Sequence, residues 1–192
     1  MEFLTEEIKK MIMDYKKARP GIPAGWVYLG DDKVRYLLGQ PVDPKQESEQ
    51  KNLLVIGVNP STAKPGEPDP TIKKVIGITQ EQGYDGWIMV NIYPQRATNP
   101  KNMTYIPEII ENNLEVIRFI CQAFNIKDVW CVWGNLIDNF SQKKSFLKDS
   151  QEKVKDQLKK MKCYHYSTLT KKRNPRHPLY VPYGDKFYDF PI

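Results

Sequence analysis

The sequence predicts an α/β domain in three layers, with a mainly parallel central sheet of about four strands and helices on both faces. An unbroken aliphatic run, Leu53-Leu54-Val55-Ile56, passes into Gly57-Val58-Asn59-Pro60-Ser61-Thr62. That is the pattern of a buried strand stopping abruptly in a polar turn. Two later segments repeat it. Trp87-Ile88-Met89-Val90 runs into Asn91, and Asp128-Val129-Trp130-Cys131-Val132-Trp133 runs into Gly134-Asn135. Helical spacing fills the intervals, and strands alternating with helices imply parallel pairing. Open sheets of this kind bind ligands just beyond the carboxyl ends of their strands. Three apolar strands that each end on a polar residue therefore predict a site.

Taken in order, Thr5 is placed to cap a helix over residues 6–18, with Ile8, Met11, Ile12 and Tyr15 on one face and Arg19-Pro20-Gly21 stopping it. Trp26–Leu29 and Val34–Leu38 form a hairpin around Gly30-Asp31-Asp32. Residues 40–51 are polar and punctuated by proline, hence a loop. The alternation starts at Asn52. After the first strand, Asp69 as N-cap and Pro70 at the first helical position start a helix that runs to about Gln82. Gly83 and Gly86 separate it from a strand over 87–92, and a long loop over 93–104 follows. Ile106, Ile109, Ile110, Leu114, Ile117, Ile120, Cys121 and Phe124 keep the three/four spacing of an amphipathic helix. A strand over 128–133, helices over 135–147 and 150–161, and a strand over 162–167 complete the alternation. The chain then enters the proline-rich Asn174-Pro175-Arg176-His177-Pro178-Leu179-Tyr180.

The 192 residues suit one compact domain, with residues 1–51 as an N-terminal elaboration on an α/β core of residues 52–192. No apolar run approaches the roughly 20 residues that cross a bilayer, and Met1-Glu2-Phe3-Leu4-Thr5-Glu6-Glu7 is too acidic for a signal peptide. The expectation is a cytoplasmic protein without a membrane partner. Cys121, Cys131 and Cys163 are odd in number, widely spaced and set in apolar surroundings, which suits reduced core thiols. The net charge of +6 is uneven: residues 141–176 hold 12 Lys and Arg against three acidic residues, a local balance of +9. The remainder has 17 basic and 20 acidic residues, a balance of −3. A lysine-rich solvated helix explains such a segment, and so does an electrostatic footprint for phosphates.

The two histidines differ in setting. His165 lies in the alternating Cys163-Tyr164-His165-Tyr166 of a strand, a structural position. His177 lies between Arg176 and Pro178 in the loop after the last strand, where flanking prolines restrict the backbone and fix where a ring points. Gly-x-Gly-x-x-Gly is absent after any strand, and the run from Gly57 to Lys64 lacks the Gly-Lys-Ser/Thr ending of a phosphate loop. The His-x-Glu and Cys-x-x-Cys of zinc deaminases are missing, and no helix pairs two histidines at i and i+4. No cofactor and no metal are expected.

Arg35-Tyr36-x-Leu38, Asn59-Pro60-Ser61-Thr62-Ala63, Asp69-Pro70-Thr71-Ile72, Val90-Asn91 with Arg96-Ala97-Thr98, Trp133-Gly134 and Pro175-Arg176-His177-Pro178-Leu179-Tyr180 together resemble a bacterial family catalogued as domain of unknown function 1643. More distantly, the order Gly57-Val58-Asn59-Pro60, Val90-Asn91, Val132-Trp133-Gly134, His177-Pro178 is similar to that of the uracil-DNA glycosylase superfamily. That resemblance implies a uracil-DNA-glycosylase-like fold and hydrolysis of an N-glycosidic bond in nucleic acid or a nucleotide. His177 would then stabilise the departing base, Asn91 read the base edge, and Asn59 position water. Pro60, Ser61, Thr62 and Arg96 would border the ligand, Tyr93 stack on the base, and Leu179 enter the base stack. Lys171, Lys172, Arg173 and Arg176 would hold phosphates. One departure is plain: an amide at Asn59 is no general base. A non-catalytic nucleotide-binding module, and a hydrolase or transferase for a small phosphorylated ligand, are the alternatives.

Overall fold

The computed structural model describes residues 2–43, 51–97, 99–141 and 145–192. The described strands are β1 (Val27–Gly30), β2 (Arg35–Gln40), β3 (Asn52–Gly57), β4 (Gly86–Asn91), β5 (Asp128–Cys131), β6 (Lys162–Tyr166) and β7 (Phe187–Asp189). They form one sheet in the order β1-β2-β4-β3-β5-β6-β7. Its four central strands, β4-β3-β5-β6, run parallel. The outer pairings, β1 with β2, β2 with β4 and β6 with β7, are antiparallel. The described helices are α1 (Glu2–Asp14), α2 (Pro70–Glu81), α3 (Pro107–Ala123), α4 (Leu136–Ser141) and α5 (Ser145–Leu158).

Period-2 alternation sorts the strand side chains into two cores. Leu54, Ile56, Ile88, Val90, Val129 and Cys131 join one, which α1, α3 and α5 cover through residues such as Ile8, Ile117 and Val154. Leu53, Val55, Trp87, Met89, Trp130 and Val132 join the other, covered by Ile72, Val75 and Ile78 of α2 and by Tyr166 and Val181. β3 is completely buried on both faces, as its unbroken aliphatic run requires. Truncating Leu54 or Ile56 to Ala would cost about 2–5 kcal/mol.

Several boundaries depart from the sequence expectation. α1 begins before Thr5, so Thr5 is inside the helix and its hydroxyl donates to Glu115 Oε1 at 2.8 Å instead of capping. The hairpin turn is held by Asp31 Oδ1, which accepts from Lys33 N at 2.7 Å and Val34 N at 2.8 Å. Yet the hairpin is no appendage, because β2 pairs with β4 and extends the central sheet. β7 was not anticipated: three residues long and half exposed, it has too little apolar pattern to announce a strand. The helices expected over 135–147 and 150–161 are instead α4 and α5, on either side of residues 142–144. Residues 44–50 of the expected loop, and Thr98 of the quoted motif, lie outside the described residues.

One topological feature positions the site. From β3 the chain passes through α2 to β4 on one side, then through α3 to β5 on the other. The loops leaving β3 and β5 therefore diverge, which opens a crevice at the carboxyl edge between them.

Candidate functional site

A cavity of about 680 Å³ occupies that crevice, within the range of small-molecule sites. The β3 exit contributes Gly57, Val58, Asn59 and Ser61, and the start of α2 contributes Asp69, Thr71 and Ile72. The β5 exit contributes Trp133, Gly134 and Asn135. The segment after β6 adds Thr170, Lys171, Arg176, His177 and Tyr180; Arg35 and Met89 close the wall.

Local bonds explain why these loops converge. Gly134 has φ of +59°, a left-handed conformation that favours glycine, and its N–H donates to Pro175 O at 2.8 Å. A Cβ there would stand 3.7 Å from His177 Cβ, so the β5 exit lies directly against the histidine loop. Asn135 Oδ1 accepts from Thr170 Oγ1 at 2.7 Å and from Asn174 Nδ2 at 3.2 Å, which ties the two loops together. On the far wall, Asp69 caps α2 by accepting from Ile72 N at 2.8 Å, while its Oδ2 accepts from Ser61 Oγ at 2.5 Å. Arg96 reinforces the Ser61 loop from outside. Its Nη1 donates to Ser61 O at 2.6 Å, Nε to Asp31 O at 2.8 Å and Nη2 to Tyr28 Oη at 3.0 Å.

His177 precedes a short 3-10 turn, and its Nδ1 accepts from Leu179 N at 3.4 Å. With Nδ1 an acceptor, a neutral ring carries its proton on Nε2 as a donor. Burial holds the imidazole below its ordinary value, partly opposed by the Asp69 carboxylate, so the ring is neutral at pH 7. Asn59 Nδ2 donates to Ala97 O at 2.8 Å and Pro60 O at 3.3 Å. Those bonds fix the amide plane and leave Oδ1 as the atom with accepting capacity for a ligand or water.

Asn59, Ser61, Lys171, Arg176 and His177 are brought together around this cavity. Asn91 is not. It is fully buried, and neither its Oδ1 nor its Nδ2 has a hydrogen-bond partner. The reason is its partner strand: Asn91 pairs with Gly57, and its Oδ1 stands 2.9 Å from where a Gly57 Cβ would be. The amide thus leans into the space glycine leaves, behind the cavity wall. Tyr93 is also buried away from the cavity; its hydroxyl donates to Thr104 O at 2.6 Å and accepts from Ile106 N at 2.8 Å, and its ring lies against Phe146. Pro60 is buried beneath the loop. Thr62 and Arg96 border a separate hollow of about 330 Å³. Lys172, Arg173 and Leu179 are exposed on the segment around His177, outside the lining.

Sequence reasoning missed Arg35, Asp69, Asn135, Thr170 and Tyr180. Arg35 and Asp69 stood in the quoted motifs, and Asn135 followed an apolar strand, so a signal existed for these three. Tyr180 also stood in a quoted motif; Thr170 had no signal beyond proximity to His177. Arg35 is 2% exposed. Burial, with Arg96 nearby, brings its guanidinium down to about 10, which leaves it charged at neutral pH; Asp69 pulls the other way.

Among the described residues no group of three or more His, Cys, Asp or Glu is arranged to hold a metal ion. No helix among them is long and apolar enough to cross a membrane. No curated protein matches the chain at a significant level. A family model matches residues 35–179, most of the chain and every wall of the cavity except Tyr180, and the protein belongs to that family, described as protein of unknown function, DUF1643.

Proposed function

We propose that the cavity recognises a nucleotide, free or within nucleic acid, and supports hydrolysis of its N-glycosidic bond. The observation that carries this reading is the meeting of a neutral His177 and an anchored Asn59 in one cavity whose wall also holds Arg35, Lys171 and Arg176. Cleaving the C1′–N bond leaves negative charge on the base and positive charge on the sugar. The His177 Nε2–H donates toward the base and stabilises the departing anion. Water adds at C1′ and its proton passes to the base, so the products are the free base and the hydroxylated sugar. Asn59 Oδ1 accepts a hydrogen bond from that water and orients it, and Asp69, with both oxygens engaged, favours the developing charge on the sugar without accepting a proton.

Lys171, Lys172, Arg173 and Arg176 serve phosphates in this reading, and Leu179, 48% exposed beside His177, is the apolar group that meets neighbouring bases. Asn91, buried behind Gly57, does not reach the base and only shapes the wall in front of it. The order of motifs shared with the uracil-DNA glycosylase superfamily supports the same reading. Binding without cleavage is the second reading, favoured by an amide at Asn59 where a carboxylate would be the stronger base.

The test is release of free base from nucleoside monophosphates and from oligonucleotides carrying uracil and other altered bases. Wild type is expected to release at least one of them. His177→Ala and Asn59→Ala should each lower release by roughly 10²-fold or more, the usual worth of a positioned acid–base group, with binding largely kept. No release from a broad panel would leave the binding reading alone.

A further inference from the structure

Arg35 opens β2 and lines the cavity, and among the described residues it forms no ion pair. Its Nη1 donates to Ala63 O at 3.1 Å, and its Nε is buried with no partner. Among the described residues no carboxylate lies within ion-pair distance of it. Asp69 is the carboxylate of the cavity wall; it favours the Arg35 charge from a distance, but its oxygens bond to Ile72 N and Ser61 Oγ and not to the guanidinium. The charged side chains lining the cavity are therefore Arg35, Lys171 and Arg176 against Asp69 alone. A buried cation without a partner is costly, and the remedy is an anion brought by the ligand. A guanidinium suits a phosphate better than any other side chain does, because its planar donors match the phosphate oxygens.

Burial decides which phosphate. An internal phosphodiester carries chain on both sides and needs two ways out. Arg35 is 2% exposed beneath the Ala63 loop, so only a group at the end of a molecule can be presented to it. Lys171, Lys172 and Arg173 are exposed and remain available to a polymer backbone. Resting on the reading of the cavity as a nucleotide site, we infer that its ligand is a free mononucleotide whose terminal phosphate is held inside by Arg35.

The experiment is calorimetric titration of the full chain with nucleoside 5′-monophosphates, the matching nucleosides, ribose 5-phosphate, inorganic phosphate and single-stranded oligonucleotides. At least one monophosphate should bind roughly tenfold or more tighter than its nucleoside, the worth of one charge-assisted hydrogen bond. Arg35→Met should abolish that difference while nucleoside binding persists. Inorganic phosphate should raise the apparent Kd of the monophosphate and leave that of the nucleoside unchanged, a test that needs no variant. Ribose 5-phosphate competing as well as the nucleotide would show a sugar phosphate as the ligand and overturn the inference. Equal affinity for nucleoside and monophosphate, or a difference that survives in Arg35→Met, would overturn it too. Oligonucleotides binding where mononucleotides do not would remove the inference and leave the nucleic-acid reading standing; no binding of any probe would remove both.

Discussion

His177 is neutral because burial opposes its charge, and that has a signed consequence. Its folded value lies below the ordinary 6.5. Below pH 6.5 the unfolded chain takes up the proton more readily than the folded one, so this residue's stabilising contribution is present above that pH. It is lost as pH falls toward the folded value. Any base release should share that acid limb, since imidazolium at Nδ1 cannot accept the Leu179 N–H. Urea midpoints that do not fall below pH 6.5 in wild type would contradict this; His177→Gln should reduce the stability limb, the rest coming from His165, which burial also holds below its ordinary value. Gly57 offers a second prediction at this scale. A Cβ there would meet Asn91 Oδ1 at 2.9 Å and Met89 Cε at 3.0 Å. Gly57→Ala is therefore expected to destabilise by about 1–3 kcal/mol as the neighbours are pushed off their rotamers, read as a lower urea midpoint. The place of Asn59 and His177 in the cavity wall was legible because they follow apolar strands or sit between restricting neighbours. Asn91 follows a strand just as plainly. What sequence could not show is that its partner across the ladder is a glycine, which lets the amide turn back into the sheet.

At the scale of elements, α2 couples stability to the site through one carboxylate. Asp69 caps the helix with Oδ1 and holds Ser61 with Oδ2. Asp69→Ala should cost about 1 kcal/mol or more of stability through the lost cap, and release the Ser61 side of the cavity. Asp69→Asn keeps an oxygen for Ile72 N and should recover most of the stability. Equal losses in the two variants, measured by denaturant, would show that charge and not the cap is what matters. The cap was legible because Asp followed by Pro before an apolar periodic stretch is a local signal. The Thr5 cap failed for the opposite reason: helix α1 starts upstream, and a distant partner, Glu115, occupies the hydroxyl. The same contrast separates the strands. β3, β4 and β5 announce themselves by apolar runs, whereas the docking of β2 on β4 and of β7 on β6 depends on pairings remote in sequence.

Over the whole molecule, the described basic residues of 141–176 divide between helix α5 on one face of the sheet and the crevice at its carboxyl edge. α5 packs with α1 and α3 on the face opposite α2, through Leu147, Val154 and Leu158. Two of its lysines, Lys153 and Lys155, pair with Glu111 and Glu152 at the surface, and Lys159 in the turn after it pairs with Asp156. Lys171 and Arg176, by contrast, line the cavity. The +9 balance is one number in sequence, but its described members fall into separate populations in space, and of these Lys171 and Arg176 line the crevice. Oligonucleotide binding is accordingly expected to weaken steeply with salt. Lys171→Gln and Arg176→Gln should each reduce the slope of log K against log[salt] by about 0.7–0.9, one phosphate contact apiece. Lys159→Gln with Lys160→Gln in the turn that ends α5 should leave the slope unchanged. If the α5 pair lowers it as much as the cavity pair does, nucleic acid runs over the opposite face. The crevice then takes its ligand independently of the polymer.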